Sequence, residues 1–278
     1  MILATGASGN VGSALIARLG ADAVAAYRDP AKTARALESG QPAVTLDLAK
    51  PETLPPALVG IDTVFLLGAM SPTQTGHELA MLDAARTVGA RVVKLSVWRA
   101  DEELSPVAPL HWPVEEALRA SGLAWTILRP NFYQQNFLAQ RSIRAAGEFS
   151  FPAITAPISF VDAADLARVA AVVLTTAGHD GRVYDLTGPA ALTYAEAADV
   201  FSVVLGRPVR YRGLPAEQAR AAMLGRGIPH FHANALVDVA RAYRDGGADT
   251  VTTTVADLTG RPATELAEFV RRHRAVFG

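Results

Sequence analysis

Residues 1–12 of the chain read MILATGASGNVG, an apolar run followed at once by glycines at positions 6, 9 and 12. The run Met1–Thr5 predicts a strand, and the apolar spacing that follows predicts a helix over roughly Asn10–Leu19. Between a strand and a helix, Gly6 permits a tight turn and Gly9 lets the backbone approach a pyrophosphate. Gly12 lets the helix pack closely on the sheet, and the helix N-terminus offers its amides to phosphates.

This glycine-rich loop is the clearest sign of a ligand in the sequence, and the ligand it predicts is a dinucleotide. We expect cofactor contacts at six of its positions: Gly6, Ser8, Gly9, Asn10, Val11 and Gly12. The alternative is an ordinary glycine-rich turn without a ligand. Glycines weaken the start of a helix unless something uses them, which disfavours that alternative.

The rest of the chain alternates short apolar runs with longer amphipathic stretches, which is typical of βαβ units and a parallel sheet. Further strands are expected at Ala23–Tyr27, Ala43–Leu46, Thr63–Leu67, Arg91–Ser96 and Trp125–Leu128. Beyond these we expect a helix over Asn131–Ala146, a short strand at Ile158–Val161, and mainly helices towards the end. The expected fold is α/β: a Rossmann-type doubly wound parallel sheet with a smaller, mainly helical C-terminal substrate lobe. The Rossmann domain would comprise residues 1–132 and a return segment, 157–188; residues 133–156 and 189–278 would form the lobe.

The composition provides ample apolar surface for a core. Of the 278 residues, 50% are hydrophobic and 19% are charged, which excludes intrinsic disorder. The net charge of -1 argues against a nucleic-acid-binding protein, because phosphate contacts need a basic surface. The chain has no cysteine, so disulfides, thiol nucleophiles, zinc–thiolate sites and iron–sulfur clusters are excluded.

No segment predicts a targeting or membrane function. The first apolar run is too short for a signal peptide, and no stretch approaches the roughly 18 apolar residues of a membrane span. We expect a cytoplasmic protein whose partner is a small-molecule substrate, with no nucleic acid and no membrane. A homodimer is compatible with the sequence, which has no feature that decides the oligomeric state.

The end of the second strand bears on which dinucleotide is bound. NAD sites usually have an acidic residue there for the ribose 2′-hydroxyl, whereas this chain has Arg28, a cation suited to a 2′-phosphate. Lys32 follows one turn into the next helix. The acidic Asp29 would favour NAD(H), but its place before Pro30 already explains it as the cap of the next helix. The sequence favours NADP(H), with NAD(H) as the alternative.

The usual proton donor of this fold is absent. It is a tyrosine followed four residues later by a lysine on one helix face. The chain has only three lysines: Lys32 and Lys50 lie in the adenine half, and Lys94 sits inside the fifth strand. No tyrosine occurs between Tyr27 and Tyr133. Another group must supply the proton, or none is needed.

Two residues are candidates for catalysis. His111 is the only imidazole in the helix where the missing pair would lie, and its ordinary pKa suits an acid or an orienting donor. Ser96 ends the fifth strand, at the edge of the sheet where ligands bind. The alternatives are a locally bonded helix residue and a turn residue. The run His230–His232 lacks a carboxylate or cysteine pattern, so we expect no metal site there. The alternatives are an aromatic-and-histidine loop that lines a pocket and simple packing.

Several longer runs carry a resemblance to a known family. They are EEALRASGLAWTILRPNFYQQNF at 115–137, FVDAADLA at 160–167, LTGP at 186–189 and TGRP at 259–262. Together they resemble the NmrA-like branch of the atypical short-chain dehydrogenases/reductases, closest to its quinone oxidoreductase and azoreductase members. The resemblance spans nearly the whole chain.

The resemblance implies roles for further residues. Asp47 and Leu48 would flank the adenine, Leu67 and Gly68 the ribose–pyrophosphate crossing, and Ser96, Pro130, Asn131 and Phe132 the nicotinamide end. His111, Tyr133 and Asn136 would line the substrate cleft. The family's reductases of phenolic lignan-type substrates carry a catalytic lysine near the His111 helix, and this chain has none there.

The expected function is an NADPH-dependent reductase of quinone-, azo- or similarly conjugated molecules, with direct hydride transfer and no flavin. A quinone that accepts hydride becomes a stabilised anion which water can protonate, whereas a plain ketone needs an acid in the transition state. One alternative is a non-catalytic NADP(H)-binding redox sensor. Another is a tailoring ketoreductase that uses His111 as its proton donor.

Overall fold

A seven-stranded, all-parallel sheet forms the centre of the computed structural model, which describes residues 1–278. Its strands run in the order β3-β2-β1-β4-β5-β6-β8. They are β1 (Ile2–Ala4), β2 (Ala23–Tyr27), β3 (Ala43–Thr45), β4 (Thr63–Leu66), β5 (Arg91–Leu95), β6 (Trp125–Pro130) and β8 (Arg182–Leu186). Two further strands, β7 (Glu148–Pro152) and β9 (Arg210–Leu214), pair in parallel as a separate sheet. The expected Rossmann-type α/β fold is confirmed.

Helices cover both faces of the large sheet and build the C-terminal part. They are α1 (Asn10–Leu19), α2 (Pro30–Glu38), α3 (Leu54–Ala57), α4 (Gln74–Val88), α5 (Ala108–Ala120), α6 (Ser142–Ala146), α7 (Ala163–Thr175), α8 (Tyr194–Leu205), α9 (Ala216–Gly225), α10 (His230–Tyr243), α11 (Thr254–Thr259), α12 (Leu266–Arg272) and α13 (Arg274–Phe277). Short 3₁₀ turns lie at Gly20–Asp22, Pro51–Thr53, Ala100–Glu102 and Gln134–Ala139. No helix has both the length and the apolar character needed to cross a membrane.

The two faces of the sheet bury separate cores, because successive side chains of a strand point in opposite directions. On β5, Val93 and Leu95 pack in the core that contains α1 and α7, whereas Val92 packs in the core that contains α4 and α5. Strands β1 and β4 are neighbours although the chain leaves β1 towards β2. Their carboxyl ends therefore form the crevice in which ligands of doubly wound sheets bind.

An aromatic cluster forms the core around the small sheet. The ring of Phe137 lies 5.3 Å from that of Phe149 and 5.2 Å from that of Phe201, and Phe151 stacks on Tyr194 at 4.7 Å. Such contacts add about 0.5–1.5 kcal/mol each beyond the area they bury. This core packs the small sheet against α8, α12 and α13.

Two of the expected elements beyond Pro130 are wrong. Residues 131–146 form the 3₁₀ turn Gln134–Ala139 and the short α6 instead of one helix. The Gln134 side chain donates to the carbonyl oxygens of Phe160 and Thr264, and these tertiary bonds hold the tight turn. The expected strand Ile158–Val161 makes only isolated bridges. Strand β7 was not expected, since its partner β9 lies about sixty residues away.

Candidate cofactor and substrate site

The glycine loop at the end of β1 has no room for a Cβ at position 12. Gly6 has a φ of +66°, and its carbonyl oxygen accepts from the Gly9 amide at 2.9 Å. A Cβ at position 12 would lie 2.1 Å from that same oxygen. Gly9 is the N-cap of α1 and has no side chain to occupy the first amides of the helix. The loop therefore presents backbone donors at a helix N-terminus, which is an anion-binding arrangement.

Two cations follow β2, and one of them reaches the glycine loop. Arg28 follows β2 and is exposed, while the Lys32 ammonium lies 3.4 Å from the Ser8 hydroxyl of the loop. Asp29 caps α2 by accepting from the Ala31 amide at 2.9 Å, with Pro30 at the first helical position, as expected. Since capping engages the Asp29 carboxylate, Arg28 and Lys32 are the groups available to a ribose 2′-phosphate.

The predicted adenine and ribose contacts follow β3 and β4, two strands that β2 and β1 separate in the sheet. Asp47 and Leu48 are half-buried after β3, and the Asp47 carboxylate accepts from the Ala49 amide at 3.1 Å. Leu67 follows β4 and its amide donates to the Thr5 hydroxyl at 2.7 Å, which ties the ends of β1 and β4 together. The Gly68 amide donates to the Glu78 carboxylate at 2.8 Å. The structure brings these residues to the crevice; their contacts with a cofactor stay predictions.

A buried polar cluster joins β5 to α4 and α5 below His111. The Lys94 ammonium lies 2.8 Å from a Glu78 carboxylate oxygen, with both side chains fully buried. It also donates to the Leu95 carbonyl at 2.8 Å and lies 3.1 Å from His111 Nδ1. Three acceptors thus surround an ammonium that has three protons. His111 Nδ1 must accept, which leaves the imidazole proton on Nε2. The group 3.3 Å from Nε2 is the Gln74 side-chain nitrogen, which is itself a donor, so this pair makes no hydrogen bond in that tautomer.

The same surroundings determine the charge of His111. Burial, and secondarily the neighbouring Lys94 ammonium, hold the pKa of His111 well below its ordinary value of 6.5. The imidazole is therefore neutral at physiological pH. A neutral Nε2–H group can donate a hydrogen bond to an oxygen or nitrogen that gains negative charge.

A second buried cluster surrounds Ser96 and Arg129. The Ser96 hydroxyl donates to Glu115 at 2.5 Å, and the Arg129 guanidinium binds both Glu115 oxygens, at 3.0 and 2.6 Å. Arg129 also pairs with Asp101 at 2.7 Å. The Ser96 proton is thus committed to a carboxylate within the protein. This side chain positions α5 against the sheet, and a catalytic role for Ser96 stays a prediction.

The residues after β6 divide between two surroundings. The Asn131 side chain donates to Ser159 Oγ and the Ala248 carbonyl, both at 2.8 Å, so it joins the strand end to the C-terminal lobe. Tyr133 packs against the core on the α1 and α7 side of the sheet, and burial raises its pKa. Asn136 instead lines a cavity of the lobe. The side chains of Tyr133 and Asn136 thus have different surroundings, although the Asn136 amide donates to the Tyr133 carbonyl at 3.1 Å, and their roles towards a substrate stay predictions.

Residues 230–232 open α10, and no group of three histidine, cysteine, aspartate or glutamate side chains could hold a metal ion. Lys94 and Glu78 are the residues that sequence reasoning missed. The sequence places Lys94 inside the fifth strand but does not show which side chains it meets. A single lysine in an otherwise apolar strand was the signal, because a buried ammonium needs a buried partner.

The chain is similar to known proteins over nearly its whole length. The profile of the NmrA-like family matches residues 1–270. The NAD(P)H azoreductase of Xenophilus azovorans is 38% identical over 100% of this chain and 99% of its own length. A (4-alkanoyl-5-oxo-2,5-dihydrofuran-3-yl)methyl phosphate reductase of Streptomyces griseus is 36% identical over 100% and 99%. The crystal structure of the NADPH-dependent quinone oxidoreductase of Escherichia coli with NADPH superposes with a TM-score of 0.89, at 30% identity over 99% of this chain and 100% of that one.

Proposed function

Because this chain belongs to the NmrA-like family, we propose that it is an NADPH-dependent reductase of quinone-, azo- or similarly conjugated small molecules. The observation that carries the proposal is the glycine loop, where a Cβ at position 12 would lie 2.1 Å from the Gly6 oxygen. A loop that has glycine where a Cβ would overlap the backbone lets a pyrophosphate approach closely. Relatives that match the whole chain support the reaction type: their names specify azo, quinone and dihydrofuranone phosphate reduction.

The residues at the crevice fit NADP(H). The loop from Gly6 to Gly12 would hold the pyrophosphate, Arg28 and Lys32 the 2′-phosphate, and the ends of β5 and β6 the nicotinamide end. When bound, the reduced nicotinamide supplies a hydride to the acceptor directly, without a flavin. The protein's part is to orient the acceptor and to stabilise the negative charge that it gains.

The neutral state of His111 favours conjugated acceptors. A plain ketone becomes an alkoxide and needs a strong proton donor, whereas a reduced quinone spreads its charge and needs only a hydrogen bond or water. His111 offers Nε2–H for that purpose, held by Lys94 at 3.1 Å from Nδ1. Lys94 and Glu78 act through His111, so we assign them as positioning residues.

Replacement of the buried ion pair is expected to change the pH dependence of the reaction. In the wild type His111 stays neutral, so kcat/KM for a neutral quinone should not change between about pH 6 and 8. The double variant Lys94→Met with Glu78→Gln removes both charges together and leaves neither one unpaired. Without the ammonium the pKa of His111 should rise but stay below 6.5, because burial is the larger cause of its depression, so an ionisation should move up from lower pH.

Steady-state rates from pH 5 to 8 provide the measurement. Adding His111→Asn to the double variant is the control, because that ionisation should then vanish. A wild-type profile that already bends near the ordinary histidine pKa would contradict the assignment. So would a double variant that folds and retains a flat profile.

The proposed function is tested by NADPH oxidation at about 340 nm with quinones, azo dyes and simple ketones, and with NADH in parallel. We expect turnover of the conjugated acceptors, faster with NADPH than with NADH. Arg28→Ala should raise the KM for NADPH about tenfold or more and leave the KM for NADH nearly unchanged, because only NADPH carries the 2′-phosphate.

Asp22→Ala serves as a matched surface control, since Asp22 precedes β2 at the opposite end of that strand. Equal effects of Arg28→Ala on both cofactors would overturn the assignment of Arg28. Tight NADPH binding without turnover of any acceptor would overturn the reductase and favour a redox sensor.

A further inference from the structure

A cavity of about 110 Å³ lies in the C-terminal lobe among β7, β9, α9 and α10. Its floor is apolar, formed by Phe151, Leu214, Met223, Ile228 and Leu236. The volume is somewhat below that of the engineered cavity of about 150 Å³ that admits benzene. The space thus suits part of a flat apolar molecule.

One cation stands at the mouth of this cavity. Arg226 follows α9 and is exposed, and its guanidinium donates to the Gln140 side-chain oxygen at 3.1 Å. Gln140 itself is only 3% exposed, so the contact holds the guanidinium against the cavity wall. Arg226 makes no other side-chain hydrogen bond, so its remaining donors are available beside the cavity.

No carboxylate compensates this charge. The twelve residues that line the cavity include no aspartate and no glutamate. Burial lowers the pKa of Arg226, and no neighbouring carboxylate raises it in return. Arg129 in the same protein shows the contrast, since it is held by Glu115 and Asp101. A guanidinium beside an apolar cavity without an anionic partner is a ready site for the anion of a ligand.

The cavity adjoins the predicted nicotinamide end. The ring of Phe151, on its floor, lies edge-on to that of Phe132 with centroids 6.4 Å apart. Phe132 comes two residues after the end of β6 and was assigned to the nicotinamide end from the sequence. Asn136, assigned to the substrate cleft, lines the cavity itself. Phe151 and Asn136 thus connect the lining of the cavity with the segment that follows β6.

We propose that this cavity selects acceptors which join a flat apolar body to a carboxylate, a sulfonate or a phosphate monoester, with Arg226 binding the anion. The inference rests on the proposed function, which supplies the reduction at the other end of the bound acceptor. The binding preference itself requires no turnover. Arg226 is accordingly a specificity-determining residue, and a bidentate pair with the anion is the contact that discriminates.

Equilibrium dialysis of 4-(phenylazo)benzoate and of its neutral carboxamide against the full chain with NADP⁺ tests the inference. The wild type should bind the carboxylate about 10- to 100-fold more tightly than the amide. Arg226→Met should abolish this preference, and Arg226→Lys should retain part of it because the charge remains without the planar fork. Arg182→Met is the control: it removes the same charge from an exposed position on β8 and should retain the preference.

Equal binding of the two probes by the wild type would overturn the inference, as would a preference that persists in Arg226→Met. NADPH oxidation with the same two probes separates this outcome from failure of the reductase. If neither probe is reduced but the carboxylate binds through Arg226, the reductase fails and the anion site stands. If both are reduced with equal KM, the reductase stands and the anion site fails.

Discussion

Replacing Gly12 with alanine is expected to weaken NADPH binding by about 100-fold or more. The new Cβ would lie 2.1 Å from the Gly6 oxygen, 2.7 Å from the Gly6 carbonyl carbon and 3.0 Å from the Ala7 Cα. All three are backbone atoms, so no side-chain rotation relieves the overlap and the loop itself must move. The loop would then lose the close approach of its amides to the pyrophosphate. A loss of about 2.7 kcal/mol in binding corresponds to that factor.

Titration of the protein with NADPH, followed by cofactor fluorescence, measures this effect. Gly225→Ala is the matched control, because a Cβ there meets no atom within 4 Å and the residue lies in a helix. Circular dichroism establishes that both variants are folded. A Gly12→Ala protein that binds NADPH within about threefold of the wild type would show that the loop does not hold the pyrophosphate.

The second large effect is expected on stability, from Glu115→Gln. Glu115 is fully buried and holds the Arg129 guanidinium through both oxygens, at 3.0 and 2.6 Å. Neutralising it leaves a buried cation with only Asp101, whose side chain is 44% exposed. Breaking a buried pair on one side typically costs 3–5 kcal/mol, and the remaining contact with Asp101 places our expectation at about 3 kcal/mol.

Urea unfolding of wild type and variant gives the change in the free energy of unfolding. Glu217→Gln is the control: it removes a carboxylate that also pairs with an arginine, but one whose side chain is 75% exposed, so less than about 1 kcal/mol should be lost. Adding Arg129→Met to Glu115→Gln should recover much of the loss, because the unpaired charge disappears. Equal destabilisation by Glu115→Gln and Glu217→Gln would contradict this account.

Features that depend on neighbours along the chain were predictable. The turn at Gly6 and the cap of α2 by Asp29 both form between residues no more than a few positions apart. The order of strands and helices likewise follows from local apolar periodicity. These signals indicated a doubly wound sheet and the place where a dinucleotide would lie.

Features that depend on contacts between distant residues were not predictable from the sequence. Gln134 bonds to Thr264 across 130 positions, which makes a 3₁₀ turn where periodicity indicated a helix. The pairing of β7 with β9 likewise depends on residues about sixty positions apart. Local propensity is a weak preference, and such tertiary contacts override it.

The candidate site shows the same division. By itself the sequence determined that the glycine loop has a shape suited to a dinucleotide and that the usual Tyr–Lys pair is missing. Only the tertiary structure places Lys94, on β5, next to His111, on α5. Only the tertiary structure places Arg226 beside a cavity whose lining residues include no carboxylate. The reason is physical: the glycines act through their own backbone, whereas the charge of a histidine or the partner of an arginine depends on which chain segments the fold brings together.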